Sequence, residues 1–589
     1  MIISVLHDCI QTALNREQAG FRRKEECQGQ VVALLEICKR REKVGRCTYV
    51  CFLDQKKAFD MVPTFAVLEK TKKIGVHGRA LAFIRSLYTG AKVAVRKNDG
   101  SAGPSISVQR GVRQGCPLSP ILFDIFINDM LDGCEQANIG VTVPGLRTPV
   151  AGLMYADDVV IMSESVESLQ EALNMVDAWA IKNGMAFGIG KCGAMVVGAR
   201  REEEDDKWEE LKGASIRLSG LEMPLVKDYT YLGFPFFSSL SLNNAIAIRA
   251  NKSGKAVNAC KMFMRSSANP LCAKIDLLRN ALFPVIAYGG EVLGMDKRRV
   301  TKLESIWRGC VRSLTKGAGL CAGSVLLREL GLPHVHSFMS AMRARALQKY
   351  PGMVTMIGEL SASNRAPSIW SRNAALWFSR SGAVSLDTES VREATEAKLW
   401  ALAEKKSVSA QNYSKSNFSA TNSYVSHFLK HMAYAKLDEG MKLLLAARCG
   451  GIWTAQRAAR SGLIPSVFKK KCPCCNYNMP ESISHLLISC KAWRQQRAEY
   501  LESVVAAMPS GLGRDGKAIL LLGGRVNGHS LNGWATAPSV GVAPIYTSVI
   551  SFMQNIAAKR RAAIWRHATH ESQGPSGYGS PASSAVGTG

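Results

Sequence analysis

The chain has 589 residues, 47% of them hydrophobic, and its 75 Lys+Arg against 47 Asp+Glu give a net charge of +28. That length exceeds one core and predicts several domains, and the charge favours a polyanionic partner, nucleic acid first, over a basic surface kept only for solubility. No run of about 18 apolar residues occurs, and Met1–Asp8 carries no basic leader before an apolar stretch, which predicts a soluble intracellular protein with no membrane partner. The seventeen cysteines, from Cys9 to Cys490, sit mostly singly in apolar segments such as Val50-Cys51-Phe52 and read as reduced core residues rather than a disulfide framework.

In chain order, the first element with chemistry is the apolar run from Tyr49 to Leu53, which ends abruptly in Asp54 and predicts a strand with a carboxylate at its terminus. Gln55-Lys56-Lys57-Ala58-Phe59-Asp60 follows. The second element runs from Arg110 to Phe123. Gln114-Gly115 would let backbone approach a ligand closely, and Ser119-Pro120 predicts an N-cap followed by proline at the first helical position. That helix is expected to bury Leu122, Phe123, Phe126, Ile127, Met130 and Leu131 and to end at Gly133. The third element is the apolar run Leu153–Met162, broken by Asp157 and Asp158.

Adjacent carboxylates inside a strand are costly unless a positive charge, usually a divalent cation, sits on them. Side chains alternate along a strand, so the two aspartates share a direction only at a hairpin tip. For the pair alone, a merely solvated turn is the competing reading. Asp54, Asp157 and Asp158, drawn from two strands, suit a pair of Mg²⁺ ions, which take oxygen ligands and bridge phosphates.

Residues 1 to about 240 mix strand and helix patterns. Glu202–Asp206 with Glu209 and Glu210 reads as a solvated loop or helix start. Residues 242–350 read as helical and carry 18 Lys+Arg against 5 Asp+Glu, a net of +13. Ser407–Ser423 reads as a polar linker or loop, Glu571–Gly589 as a disordered tail, and no internal repeat is present. Near the C-terminus, Cys472 and Cys475, followed by His485 and Cys490, supply four donors suited to tetrahedral structural zinc. Cys474 is an alternative to Cys472, and a plain helix over 484–490 with a buried Cys and an exposed His is the non-metal alternative. Lys469–Lys471, Trp493, Arg494 and Arg497 would offer phosphate contacts and a stacking platform.

The order and wording of three segments resemble reverse transcriptases of non-LTR (LINE-type) retrotransposons: Asp54 with Phe59; Arg113-Gln114-Gly115-Cys116-Pro117-Leu118-Ser119-Pro120; and Tyr155-Ala156-Asp157-Asp158. Gln18-Ala19-Gly20-Phe21-Arg22 resembles the family's fingers motif, Gly190-Lys191-Cys192 its fourth palm motif and Tyr231-Leu232-Gly233 its primer grip. Leu282-Phe283-Pro284, Tyr288-Gly289 and Glu329-Leu330-Gly331 resemble its thumb region. The zinc cluster resembles the family's Cys-Cys-His-Cys motif, so the likeness covers about residues 15–495.

The resemblance implies an α+β right-hand polymerase: partial fingers and palm over 1–240, a basic helical thumb over 241–350 and a helical connecting region over 351–465. A zinc knuckle over 466–495, a C-terminal helical region over 496–570 and a disordered tail over 571–589 would follow. It implies metal binding by Asp54, Asp157 and Asp158, a sugar gate at Phe59, and nucleotide or template contacts from Arg22, Gln55, Gln114, Gly115 and Tyr155. Lys191 would protonate the leaving pyrophosphate. The implied cofactors are two Mg²⁺ and a structural Zn²⁺; the implied partners are RNA template, DNA primer or target, and dNTPs.

The implied activity is RNA-directed DNA polymerisation from a nicked chromosomal 3′-hydroxyl, nuclear at the site of integration and in a cytoplasmic ribonucleoprotein before that. One departure is that the chain starts too late to contain the family's Arg-Pro-Ile stretch. No endonuclease precedes the domain, and residues 496–570 show no carboxylate-rich nuclease site, so an N-terminally truncated copy is expected. The alternative function is an inactive relic that only binds nucleic acid. A group II intron-type maturase is disfavoured by the motif wording.

Overall fold

The computed structural model describes residues 10, 12–108, 110–266, 268–314, 321–363, 368–416, 418, 437–527, 529–530 and 542–568. The expected disordered tail lies outside them. The described residues divide into two compact units, each discontinuous in sequence: 1–249 with 289–299 and 339–392, and 250–288 with 300–338 and 393–589.

The first unit is built on a four-stranded antiparallel sheet of β1 (Thr48–Asp54), β2 (Gly152–Tyr155), β3 (Asp158–Ser163) and β4 (Gly193–Val197), in the order β2-β3-β1-β4. β1 lacks polar alternation because both faces are covered. Tyr49, Cys51 and Leu53 join a core with Ile121, Phe123, Leu169 and Leu173. On the other face Phe52 stacks on Tyr229, with ring centroids 4.3 Å apart and planes 7° from parallel. Tyr229 belongs to the hairpin of β5 (Asp228–Tyr231) and β6 (Phe234–Phe237), whose two-residue turn is Leu232-Gly233.

Helix α1 (Cys27–Lys43) is buried on nearly every side, and residues 339–392 belong to the same unit because polar groups tie them to it. Glu26 pairs with Arg345 at 2.7 Å and with Lys349, and Glu36 accepts from the backbone N–H groups of Ile369 and Trp370. Helix α2 (Ser119–Ile127) corrects two expectations. Leu118 already has helical dihedrals and is the N-cap, so Ser119 is the first helical residue and its buried hydroxyl caps nothing. The helix also stops before Asn128, whose Oδ1 accepts from Asn15 N, and a new helix, α3 (Asp132–Gln136), contains Gly133. Met130 and Leu131 are thus buried by the turn between two helices rather than by one long period. Helix α4 (Val166–Asn183) opens on a Ser165–Ser168 capping box and closes at Gly184. The acidic block begins in the turn before a helix, Glu204–Gly213, and continues along it at the exposed residues Glu204, Asp205, Asp206, Glu209 and Glu210.

Between residues 242 and 350 the regular elements among the described residues are all helical. In the second unit, Glu304 accepts from His334 Nδ1 at 2.5 Å and from Arg308 Nε at 2.9 Å. Burial alone would raise its carboxyl, but these partners outweigh it and hold Glu304 at about 2. The stretch expected as a linker contains a helix, Val408–Lys415, because Ala410 and Tyr413 recur three apart on a buried face and Tyr413 Oη donates to Glu329 at 2.6 Å. The rest of that stretch lies largely outside the described residues. Toward the C-terminus, buried Glu481 accepts from Arg560 at 2.6 Å and from Ala455 N at 2.5 Å. Among the described residues sixteen cysteines are free thiols, most of them buried. Among the described residues no helix is long and apolar enough to cross a membrane.

Candidate functional site

The carboxylates meet at one end of the sheet. β1 and β3 pair so that Asp54 lies opposite Asp158, while β2 and β3 form a hairpin in which Tyr155 lies opposite Asp158. Ala156 and Asp157 are therefore the two-residue tip, and Ala156 takes the left-handed conformation that such a turn requires, with φ +55°. All three aspartates are half-buried. Burial first, then Asp157 and then Asp54, push Asp158 up to about 6; burial, with Asp54 adding to it, also raises Asp157. Lys191 Nζ lies 3.5 Å from Asp54 Oδ2, with its side chain 77% exposed. Segment 186–192 runs beside Asp54: Gly188 N donates to Asp54 O at 2.8 Å, and a Cβ on Gly188 would sit 3.0 Å from Asp54 Oδ2. Three crowded carboxylates beside one exposed ammonium leave negative charge for which an oxygen-liganded divalent cation is the fitting partner.

Phe59 follows the left-handed residue Lys57. Its ring stacks on Phe123 at 4.7 Å and 8°, and meets Phe21 edge-on at 6.2 Å. The Arg110–Gly115 loop lies against this segment: Gly111 N and Val112 N donate to Val62 O and Phe59 O, and Gln114 Nε2 donates to Asp60 Oδ1 at 3.1 Å. Open space surrounds Gly115. Tyr155 is half-buried, its phenol raised to about 12 chiefly by burial.

Two of the expected contact residues are turned into the fold. Arg22 is buried, and its Nη1 donates to the carbonyls of Asn15 at 2.9 Å and Gln18 at 3.1 Å. Gln55 is 4% exposed, and its amide atoms have no hydrogen-bond partner among the described residues. Sequence reasoning passed over Gln18 and Gly20, which lie directly against the Ala156 turn. Their motif was visible, but nothing in it pointed to the turn.

A second cluster lies in the second unit. The ligand atoms of Cys472, Cys475, His485 and Cys490 all lie within 4.8 Å of one another, with Cys474 outside the group. Cys472 Sγ is 4.0 Å from Cys490 Sγ, and Cys475 Sγ is 3.4 Å from His485 Nε2. Hydrogen bonds with Cys474 and Cys490 draw the Cys472 thiol well below its usual range. Three sulfurs and one imidazole nitrogen fit tetrahedral zinc, and His485 is buried rather than exposed. Trp493 corrects an expectation: it is 6% exposed and packed inward, so it offers no stacking face. The exposed ring nearby is Tyr477, with Lys491 Nζ 4.9 Å from its centroid.

Residues 1–236 match the family model "Reverse transcriptase (RNA-dependent DNA polymerase)". The chain is 26% identical over 245 residues, 40% of its own length, to the Pol polyprotein of type-2 retrotransposable element R2DM of Drosophila melanogaster. It is 25% identical over 301 residues, 49% of its length, to the RNA-directed DNA polymerase of mobile element jockey of Drosophila funebris. The matches cover 22% and 30% of those relatives, so the chain spans well under half of either. A solved structure of apo telomerase from Candida tropicalis aligns over 67% of this chain and 60% of that one, with 11% identity and a TM-score of 0.32.

Proposed function

We propose that residues 1–236, which match the reverse transcriptase family model, form a reverse transcriptase domain of the non-LTR retrotransposon type, and that the chain extends a DNA 3′-hydroxyl on an RNA template. In each cycle the 3′ oxygen attacks the α-phosphorus of a dNTP, its proton leaves, and the bond to pyrophosphate breaks. The observation that carries this reading is Asp54 opposite Asp158, with Asp157 at the adjoining turn and Lys191 within 3.5 Å of Asp54.

Asp54, Asp157 and Asp158 would hold two Mg²⁺ ions, which when bound lower the pKa of the attacking hydroxyl and neutralise the leaving group. Lys191 is the group with a proton to give the departing pyrophosphate. Phe59, held between Phe123 and Phe21, closes the sugar's edge against a 2′-hydroxyl. Gln114 and Gly115 border the nucleotide, where the loop leaves open space. Cys472, Cys475, His485 and Cys490 would hold a structural Zn²⁺ with no open position for catalysis.

The partners are an RNA template, a DNA primer at a nicked target, and dNTPs. The place of action is the nucleus at integration, preceded by a cytoplasmic ribonucleoprotein. The net charge of +28 supports polyanionic partners. The intact carboxylate set gives no support to a relic that only binds. Incubation of the full chain with a DNA primer annealed to RNA, dNTPs and Mg²⁺ tests the reading. RNA-templated extension is expected, and its absence alongside retained binding would overturn it.

A further inference from the structure

We infer that Gln18 is a positioning residue for the turn that carries Asp157, an inference that rests on the polymerase reading of that turn. β2 is an edge strand of its sheet, so its outer side would present unpaired backbone groups. Residues 17–19 occupy that side as a short parallel strip: Gln18 bridges Met154, Met154 N donates to Glu17 O at 2.9 Å, and Ala19 N donates to Met154 O at 3.0 Å. Gln30 locks the strip from α1, its Nε2 donating to Glu17 O at 2.8 Å and to Met154 O at 2.9 Å.

Beyond the strip, the Gln18 side chain reaches the tip itself. Its Oε1 accepts from Gly20 N at 2.8 Å and from Ala156 N at 3.3 Å. Both neighbours are N–H donors, so the amide can face them only with its oxygen. Nε2 is then left buried with no hydrogen-bond partner among the described residues, an unfavourable arrangement that serves local packing poorly but keeps an acceptor on Ala156.

Ala156 is held at φ +55°, an unfavourable conformation for a non-glycine residue that the surrounding structure must maintain. Gly20 braces the same atom, since a Cβ there would lie 2.4 Å from Ala156 N. Strip, amide and glycine together fix the residue that precedes Asp157, and a displacement of about 1 Å at such a carboxylate is enough to cost on the order of a hundredfold in rate.

The test compares the full chain with Gln18→Met, which keeps the length and removes the acceptor, and with Gly20→Ala, which presses on the turn from the other side. Hydrogen–deuterium exchange of the peptide spanning 150–162 is expected to quicken by about tenfold in both, with the rest of the chain unchanged. Mn²⁺ titration is expected to show weaker binding by about tenfold, and extension to lose kcat with the KM for dNTP and the primer–template affinity unchanged. Unchanged exchange and unchanged Mn²⁺ affinity in a folded Gln18→Met variant would overturn the inference, as would wild-type kcat in that variant. Should the wild-type chain fail to extend a primer, the polymerase reading falls while exchange and Mn²⁺ binding still decide whether Gln18 holds the turn.

Discussion

Asp54 and Asp158 are register partners across neighbouring antiparallel strands, so the last residue of one strand and the first of the next place two carboxylates at one end of the sheet. Asp157 joins them from the hairpin tip, and burial first, with the neighbouring carboxylates adding to it, raises Asp158 to about 6. The ammonium of Lys191 lies 3.5 Å from Asp54, and the loop of Gln114 meets the Phe59 segment through Asp60.

Removing the Lys191 ammonium separates chemistry from folding. The side chain is 77% exposed and pairs with Asp54 at 3.5 Å, so Lys191→Ala is expected to leave the unfolding midpoint unchanged. Single-turnover extension is expected to slow by about a hundredfold if the lysine acts as general acid. A rate within about twofold of wild type would remove it from the chemistry.

Trimming the Phe59 ring tests the gate. Phe59→Val removes the surface stacked on Phe123 at 4.7 Å, and the preference for dNTP over rNTP is expected to fall by about 10- to 100-fold, read from competing incorporation on one template. An unaltered preference would make the ring a core residue only.

Zinc content follows from the four donors within 4.8 Å. Metal analysis of the purified chain is expected to find one zinc. Cys475→Ser is expected to lose it and to lower the melting temperature by about 5 °C or more. Cys474→Ser is expected to retain it. Loss of zinc in Cys474→Ser with retention in Cys472→Ser would reverse the ligand assignment.

Glu304 sets a pH dependence in the second unit. Its carboxyl is held at about 2 against an ordinary 4.5, so its stabilisation is complete above 4.5 and is lost as pH falls toward 2. That shift corresponds to a contribution on the order of 3 kcal/mol. Urea unfolding of wild type and Glu304→Gln is expected to differ most above pH 4.5 and to converge only as pH approaches 2. A difference independent of pH would contradict the assignment.

Much of the site was legible in the sequence because it breaks a local rule. Asp54, Asp157 and Asp158 interrupt apolar runs, and Cys472, Cys475, His485 and Cys490 repeat a known ligand spacing. Other features left no local mark. Ser119 reads as a cap, yet Leu118 is already helical. Trp493 sits among basic residues but faces inward. Gln18 and Gln30 act through bonds to backbone 138 and 124 residues away, a relationship set by tertiary pairing that no periodicity reveals. Arg22 and Gln55 show the converse: both lie in telling motifs, and both are buried.

The most direct test of the polymerase account is Asp157→Asn, measured in parallel for RNA-templated primer extension and for binding of the same primer–template across a salt series. The account predicts a loss of extension by about a thousandfold or more, with affinity and its salt slope unchanged. Extension at the wild-type rate by Asp157→Asn would contradict it.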